Sequence, residues 1–220
     1  MLRISLIGGR DLGYHYSELL GIPRQKLDKE IESISKILAD LPLELVLLPD
    51  RGISFEVAKL YKRFNGGKVY GTVPVSDNDF GIKHLEPYIN AEINGKKVID
   101  KIIDTQNWYK QDLTCCIYGD YILMLGTSLG SLGELVYGYY LYKLFMGEKP
   151  EVNVMKKKIH EEVRCGEHLP FGAIVYKPFV KDKLPCEIEE YIKKLKGNVN
   201  YVNNPKELKE KLEKLIKEYK

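Results

Sequence analysis

The residues of this chain that are best suited to hold a phosphate group follow a short apolar run, Tyr121–Leu125. The run stops at a segment rich in glycine and hydroxyl groups, with Thr127, Ser128, Gly130 and Ser131, and an apolar pattern with helical spacing follows. A buried strand that leads through such a turn into a helix presents backbone N–H groups and the positive end of the helix dipole to an anion. The pattern therefore predicts a site for a phosphate-bearing ligand, a nucleotide or a nucleotide-derived molecule, and leaves open whether that ligand is cleaved or only bound.

Two earlier apolar runs end in residues of the same kind. The residues that follow them are Gly8, Gly9 and Arg10 in the first case, and Asp50, Arg51, Gly52 and Ser54 in the second. Glycines let the backbone approach a phosphate closely, and arginine offers a planar fork to its oxygens. The carboxyl ends of parallel strands lie at one edge of a sheet, so we expect all three segments to converge on one ligand.

Each of these features also has a structural explanation. A Gly-Gly pair after a strand is commonly only a turn, and Arg51 is the type of residue that usually lies on a surface. Glu134, which follows the third segment, can simply complement the dipole of its helix. The coincidence of three such strand ends is what favours a binding site.

The rest of the chain alternates between strand-like and helix-like patterns. The predicted strands are Leu2–Ile7, Leu43–Leu48, Lys68–Val75, Tyr121–Leu125, Phe171–Tyr176 and Val199–Val202. Six helices are predicted. The first carries Leu27, Ile31, Ile34 and Leu38 on one face, the second begins at Ser54 as N-cap, and the third spans Trp108–Ile117. The fourth begins near Leu132, the fifth spans Cys186–Lys196 with Gly197 as C-cap, and the sixth begins after Asn204. Residues 77–95 are predicted to be irregular, with a small hairpin at Asn94-Gly95, and residues 150–170 receive no assignment.

This alternation predicts the fold class. It is typical of an α/β protein with a Rossmann-like, doubly wound, mostly parallel sheet and helices on both faces. Neither an internal repeat nor a low-complexity linker interrupts the pattern, so residues 1–220 are predicted to form one domain.

Composition limits the function classes. With 220 residues, 44% hydrophobic and 30% charged, the chain is typical of soluble globular proteins, and its net charge of +3 is too small to favour a nucleic-acid partner. No apolar run approaches the roughly 20 residues of a membrane span. The four cysteines have no zinc spacing and are expected to be buried thiols in a reducing cytoplasm. The chain is rich in Lys and Glu and poor in Gln, a composition that is common in thermophile proteins.

Neither a metal nor a cofactor is predicted. His160 and His168 are eight positions apart with Gly166 between them, which is not the i,i+4 spacing of a zinc helix, so a surface loop is expected there. The tyrosines of the helix after Glu134 (Tyr137, Tyr139, Tyr140 and Tyr142) are expected in the core or at a subunit interface, with base stacking as the alternative.

The order of elements resembles the Rossmann-like family once labelled "possible lysine decarboxylase", which includes the Lonely Guy (LOG) cytokinin-activating phosphoribohydrolases and belongs to the SLOG superfamily. The family signature is P-G-G-x-G-T-x-x-E after an aspartate-led strand. Here Asp120 leads the strand, Gly130 and Glu134 match, and Ser131 replaces the threonine. The segments 66–74 and 201–207 also resemble family motifs, and Gly126-Thr127-Ser128 departs from P-G-G.

The resemblance implies a homodimer and the hydrolysis of nucleoside 5′-monophosphates, with Glu134 as the catalytic carboxylate. Family hydrolases also use an arginine, whose position falls on or beside Gln111, and Lys110 does not have the same bidentate geometry. Three hypotheses therefore stand: a nucleotide-binding protein, a phosphoribohydrolase, and a non-enzymatic interaction protein with a vestigial pocket.

Overall fold

A seven-stranded parallel sheet forms the centre of the protein. The computed structural model describes residues 1–145 and 162–219. The strands are β1 (Leu2–Gly8), β2 (Leu43–Leu47), β3 (Val69–Val73), β4 (Glu92–Ile93), β5 (Lys96–Lys97), β6 (Lys101–Asp104), β7 (Tyr121–Leu125), β8 (Gly172–Tyr176) and β9 (Asn198–Val202). The sheet order is β6-β3-β2-β1-β7-β8-β9 with every pair parallel, and β4 and β5 form a separate antiparallel hairpin.

Helices cover both faces of this sheet. They are α1 (Arg24–Ala39), α2 (Ile53–Arg63), α3 (Glu86–Ile89), α4 (Trp108–Tyr118), α5 (Leu129–Phe145), α6 (Cys186–Lys194) and α7 (Pro205–Glu218). The apolar residues of α1, α2 and α7 pack in one core cluster, and those of α4, α5 and α6 pack in a second cluster. Since both faces are covered, the central strands β1, β3 and β7 are buried almost throughout. The predicted α/β, doubly wound fold class is confirmed.

The order in which the chain adds strands to the sheet reverses beside β1. From β1 the chain builds outward through β2, β3 and β6 on one side, and through β7, β8 and β9 on the other. Ligands of open α/β sheets bind at such a switch point, outside the carboxyl ends of the strands. The ends of β1, β2 and β7 meet there.

Several boundaries differ from the predicted ones. Helix α2 begins at Ile53 with Gly52 as N-cap, so the prediction of Ser54 as N-cap was wrong, and α5 begins at Leu129 rather than near Leu132. Helix α6 ends at Lys194 with Leu195 as C-cap, not at Gly197. The expected hairpin at Asn94-Gly95 is the β4–β5 pair. Strand β6 and a π-helical segment, Leu12–Leu19, were not predicted.

Two further features bear on the predictions. Cys115, Cys116 and Cys165 are buried as expected, whereas Cys186 is exposed. No helix in the described ranges is both long and apolar enough to cross a membrane. Of the predicted surface loop from His160 to His168, the structure describes residues 162–168, which form turns and irregular backbone, with Val163 and Cys165 buried; His160 lies outside the described residues.

Candidate functional site

One cleft brings the three predicted strand ends together. It encloses about 150 Å³ at the carboxyl ends of β1, β2 and β7. The predicted site residues that line it are Gly8, Gly9, Arg10, Asp50, Arg51, Gly52, Ser54, Ser128, Gly130, Ser131 and Glu134. Thr127, which precedes Ser128 in the chain, is the predicted site residue that does not line the cleft.

The first two strand ends are in direct contact. The Ile53 N–H donates to the Gly9 carbonyl over 3.1 Å, which joins the start of α2 to the turn after β1. Gly52 has φ +133°, and a Cβ at this position would lie 2.8 Å from the Gly9 carbonyl oxygen. Glycine is therefore required at position 52 for both its backbone conformation and its space.

Helix α2 presents unpaired N–H groups to the cleft. Its N-cap is Gly52, which has no side chain that could accept a hydrogen bond. Among the described residues, the N–H groups of Ser54 and Phe55 have no acceptor, and Ser54 lines the cleft. These donors and the helix dipole are suited to an anion.

Helix α5 contributes a second N-terminus, whose serines form a reciprocal cap. The Ser131 N–H donates to Ser128 Oγ over 3.1 Å, and the Ser128 N–H donates to Ser131 Oγ over 2.8 Å. Ser131 Oγ also donates to the Gly126 carbonyl over 2.9 Å. Ser131 is 1% exposed, so its hydroxyl, which was predicted to donate to a ligand, instead stabilises the start of the helix.

The remaining donors at this N-terminus are the N–H groups of Leu129 and Gly130. No described residue accepts a hydrogen bond from either group. Gly130 lines the cleft and is exposed. The cleft therefore lies between two helix N-termini, and from each of them one residue with an N–H group that lacks an acceptor among the described residues lines the cleft, Ser54 from α2 and Gly130 from α5.

The charged side chains of the cleft are partly paired. Arg10 Nε lies 2.8 Å from Asp50 Oδ2, and the other oxygen of Asp50 accepts the Arg51 N–H over 2.7 Å. Asp50 thus orders the turn after β2 and neutralises Arg10. The exposed Arg51 side chain makes no ion pair with any residue in the described ranges, so it is the side-chain cation best placed for a ligand. Glu134 lines the cleft and is half-buried.

A second pocket adjoins the first. It encloses about 250 Å³, and Arg10, Arg51 and Gly52 line both pockets. Tyr88 and Glu56 close its far side. The first cleft alone is smaller than the roughly 300–1,000 Å³ of typical ligand pockets. A ligand whose phosphate lies in the first cleft therefore has room to extend past Arg51 into the second.

The position of the family arginine has a structural role here. The Gln111 amide donates to Thr72 Oγ1 over 3.1 Å and accepts from Thr105 Oγ1 over 3.2 Å. Gln111 is fully buried and does not line the cleft. Lys110 does not line it either; its ammonium donates to Gln106 Oε1. Neither residue supplies charge to the candidate site.

A role for Tyr16, which joins two of the strand ends, was not predicted from the sequence. Its hydroxyl accepts the Gly9 N–H over 3.0 Å and donates to the Leu125 carbonyl over 2.5 Å. Burial raises the pKa of Tyr16, so the hydroxyl keeps its proton. Tyr16 lies on the π-helical segment Leu12–Leu19, where neither a period of 3.6 nor a period of 2 gives a signal.

No metal cluster is present in the described part of the chain. There, no three His, Cys, Asp or Glu side chains lie close enough together to hold a metal ion.

Comparison with known proteins gives the fold. No family model and no curated protein matches the sequence. The structure is similar to the molybdenum cofactor binding protein of the phototrophic bacterium Rippkaea orientalis, with a TM-score of 0.55, 13% identity, and coverage of 98% of this chain and 97% of that one. It is also similar to the molybdenum cofactor carrier protein of Chlamydomonas reinhardtii, with a TM-score of 0.55, 14% identity, and coverage of 98% of both chains.

A third similar structure is the structural-genomics target TM1055. It has a TM-score of 0.53 and 13% identity, and the match covers 97% of this chain and 99% of that one. Because all these identities are low, the likeness concerns the fold, and membership of the LOG family stays a resemblance. The chain has the Rossmann-like α/β fold of these molybdenum cofactor binding and carrier proteins, with a parallel sheet between two layers of helices.

Proposed function

We propose that this protein binds a nucleotide or nucleotide-derived ligand through its phosphate group, in the cleft at the carboxyl ends of β1, β2 and β7. The observation that carries the proposal is the convergence of two helix N-termini on one glycine-lined cleft. The N–H groups of Ser54, Phe55, Leu129 and Gly130 have no acceptor among the described residues. Ser54 and Gly130 line the cleft, and N–H donors without an acceptor at a helix N-terminus are suited to bind an anion.

The charge balance of the cleft supports the same ligand class. Arg51 is available to a phosphate, whereas Asp50 holds Arg10. The acidic residues Asp50 and Glu134 line the same cleft as the two arginines, so side chains alone do not make it strongly positive. Phosphate affinity would then depend mainly on backbone N–H groups and helix dipoles, as in nucleotide-binding turns.

The structural neighbours widen the ligand class by one candidate. Two of them are named for binding or carrying the molybdenum cofactor. The organic part of that cofactor is a pterin that carries a phosphate group, so the same cleft chemistry would hold it. We include a phosphorylated pterin among the nucleotide-like ligands to be tested.

A second candidate function is hydrolysis of a nucleoside 5′-monophosphate. It is favoured by Glu134, which lines the cleft together with Ser128 and Ser131. In this reaction water would attack the anomeric carbon, the N-glycosidic bond would break, and free base and ribose 5-phosphate would leave. Glu134 would accept a proton from the water as a general base and return it to the departing base, so that the base leaves in its neutral form. The buried Gln111 at the position of the family arginine argues for binding without turnover.

The test of the binding function is a thermal-shift screen. The panel contains inorganic phosphate, nucleoside mono-, di- and triphosphates, cyclic nucleotides, ADP-ribose and a phosphorylated pterin. A ligand present at a hundredfold excess over its dissociation constant should stabilise the protein by about 2.7 kcal/mol. A panel in which no compound raises the melting temperature would contradict the proposal and favour an interaction protein with a vestigial pocket.

The test of hydrolysis is separate. Each nucleoside monophosphate that binds is incubated with the protein, and free base is measured by chromatography. Base release that disappears in Glu134→Gln, while binding persists, would establish the hydrolase. Binding without release in the unmodified protein would exclude it for those ligands.

The homodimer stays a prediction. On α5, the exposed side chains Val136, Tyr137 and Tyr140 offer an apolar surface that a second copy of the chain would cover. Sedimentation of the intact chain tests it, and a monomer at micromolar concentration would contradict it.

A further inference from the structure

The pocket beside the proposed phosphate site has two chemically different parts. It encloses about 250 Å³, and Arg10, Arg51 and Gly52 line both this second pocket and the cleft. The four residues that line the second pocket but not the cleft are Asp11, Leu12, Glu56 and Tyr88. A ligand that extends from the cleft therefore passes two arginines and then meets two acidic residues, a leucine and a tyrosine.

The charges of the second pocket do not suit a further phosphate group. Asp50 already pairs with Arg10, so among the described residues that line this pocket Arg51 is the cation left to balance Asp11 and Glu56. Like charges placed against each other weaken binding. A neutral group that donates hydrogen bonds suits the two acidic residues better, because an ionised carboxylate only accepts them.

Glu56 has a carboxylate oxygen that is available to such a donor. Its Oε2 accepts a hydrogen bond from Lys59 Nζ over 2.8 Å, and no described residue donates to its Oε1. The Glu56 side chain is 34% exposed, so a ligand in the second pocket can reach it. The pair with Lys59, three residues later on α2, thus holds the carboxylate in place without using both of its oxygens.

Tyr88 gives the same pocket an aromatic side chain in a fixed position. Its ring packs edge to face against Phe55, with 5.0 Å between the ring centroids and 82° between the ring planes. Phe55 is buried in the core, whereas Tyr88 is half-buried and lines the second pocket. An aromatic ring that the core holds on one side is suited to contact a planar heterocycle, since nucleotide bases stack on tyrosine.

Each of these two residues also contributes to the fold. Glu56 lies in the first turn of α2, where a negative charge complements the helix dipole and pairs with Lys59. Tyr88 packs against the apolar core cluster. Neither role requires the two side chains to share a pocket that adjoins the phosphate cleft, and their presence together in that pocket is the observation that points to a ligand.

We propose that the second pocket holds the heterocyclic base of the ligand, and that Glu56 selects bases that carry an exocyclic amino group. The inference rests on the proposed function and deepens it. With the phosphate at the N-termini of α2 and α5, the base contacts Tyr88 and its amino group donates a hydrogen bond to Glu56. The preferred ligands are thus nucleotides of amino-bearing bases such as adenine or guanine, or a phosphorylated aminated pterin, rather than nucleotides of hypoxanthine or uracil.

The test separates the contribution of the base from that of its amino group with four probes, whose dissociation constants are measured by calorimetry. Ribose 5-phosphate lacks the base, inosine 5′-monophosphate has a purine without an amino group, and the 5′-monophosphates of adenosine and guanosine each carry one amino group. Glu56→Met removes the carboxylate and Tyr88→Leu removes the ring, while each keeps an apolar side chain at its position. Glu32→Met is the matched control, since Glu32 is an exposed residue of α1 that lines a surface groove together with Glu56 but does not line the second pocket.

The unmodified protein should bind at least one of the two amino-bearing nucleotides about tenfold more tightly than inosine monophosphate. It should bind inosine monophosphate about tenfold more tightly than ribose 5-phosphate. In Glu56→Met the preference for the amino group should disappear, and in Tyr88→Leu all three nucleotides should lose about tenfold in affinity. Neither variant should change the affinity for ribose 5-phosphate by more than Glu32→Met does.

Four results would overturn the inference. Equal binding of ribose 5-phosphate and the three nucleotides by the unmodified protein would show that the pocket does not hold the base. Equal binding of the three nucleotides, or the same loss of preference in Glu32→Met as in Glu56→Met, would show that Glu56 does not select the amino group. Failure of every phosphorylated compound to bind would overturn the proposed function together with this inference, whereas the other three results would leave phosphate binding intact.

Discussion

The hydroxyl oxygens of Ser128 and Ser131 lie 3.1 Å apart, and each accepts a hydrogen bond from the backbone N–H of the other residue. This reciprocal cap orders the start of α5 before any ligand arrives. It also separates the roles of two serines that look equivalent in the sequence. Ser131 is committed to the Gly126 carbonyl, whereas Ser128 is half-buried at the cleft and keeps a hydroxyl proton for Ser131 or for a ligand.

The Ser131→Ala variant should lower the free energy of unfolding by about 1–2 kcal/mol, because it removes one half of the cap and leaves the Gly126 carbonyl unpaired. Urea denaturation measures the loss. The control is Asn204→Ala, which removes the N-cap of α7 far from the cleft and should cost about 1 kcal/mol without changing ligand affinity. A Ser131→Ala protein as stable as the unmodified one would contradict the assigned role.

The Gly52→Ala variant should lower the free energy of unfolding by about 3 kcal/mol, since φ of +133° is strained for alanine and its Cβ would clash with the Gly9 carbonyl. The matched control is Gly81→Ala: Gly81 also has a positive φ, of +65°, but nothing lies within 4 Å of an added Cβ. That change should cost only about 1 kcal/mol. Urea denaturation of both proteins checks the difference, and equal losses would refute the close contact between the turns.

Replacement of Arg51 by alanine should weaken binding of a phosphorylated ligand by about tenfold while leaving stability within about 0.5 kcal/mol. The guanidinium is exposed and has no ion pair within the described ranges, so little of the fold depends on it. Calorimetric titration with the ligand found in the screen gives the affinity. Arg63→Ala, an exposed arginine at the last turn of the same helix α2, should leave affinity unchanged. Identical affinities for both variants would remove Arg51 from the site.

Stability should fall as the pH drops below about 6.5, in part because of His15. Burial lowers the pKa of His15 in the folded protein below its ordinary value of 6.5. As the pH falls, the unfolded chain therefore takes up a proton at this position before the folded protein does, and the free energy of unfolding decreases by up to about 1.4 kcal/mol per pH unit. Above pH 6.5 the group contributes no pH dependence.

Urea denaturation between about pH 5 and pH 8 measures this effect. Between pH 6.5 and the lowered pKa, the free energy of unfolding should decrease less in His15→Asn than in the unmodified protein. In His84→Asn it should decrease as much as in the unmodified protein, because His84 is exposed and stacks on Trp108. A decrease of the same size in all three proteins would mean that His15 does not titrate below its ordinary range.

Much of the fold could be predicted because its signals are strong and local. Strand β7 is a continuous apolar run, and α1 repeats leucine and isoleucine at helical spacing on its buried face. Strand β6 was missed because it lies at the edge of the sheet and has only four residues, Lys101–Asp104, of which the first and last are charged.

The candidate site was predictable to the level of its segments. Parallel strands bring their carboxyl ends to one edge, so residues after β1, β2 and β7 had to approach one another. The roles of individual residues in the site were not predictable, because they depend on distances between segments that are far apart in the sequence. The pairing of Arg10 with Asp50 and the cap formed by Ser131 are examples. His15 and Tyr16 lie on a π-helical segment, and no sequence pattern distinguished them from surface residues.

The Tyr16 hydroxyl has a kinetic consequence. It holds the end of β1 to the end of β7 through Gly9 and Leu125. Since the raised pKa keeps the proton on the oxygen, alkaline solutions that ionise ordinary tyrosines leave this link intact. The distance between the turns at Gly9 and Gly126 is therefore fixed before a ligand arrives. Ligand association at this edge would begin from an ordered receptor, with little loop entropy to lose and an on-rate governed by diffusion and charge.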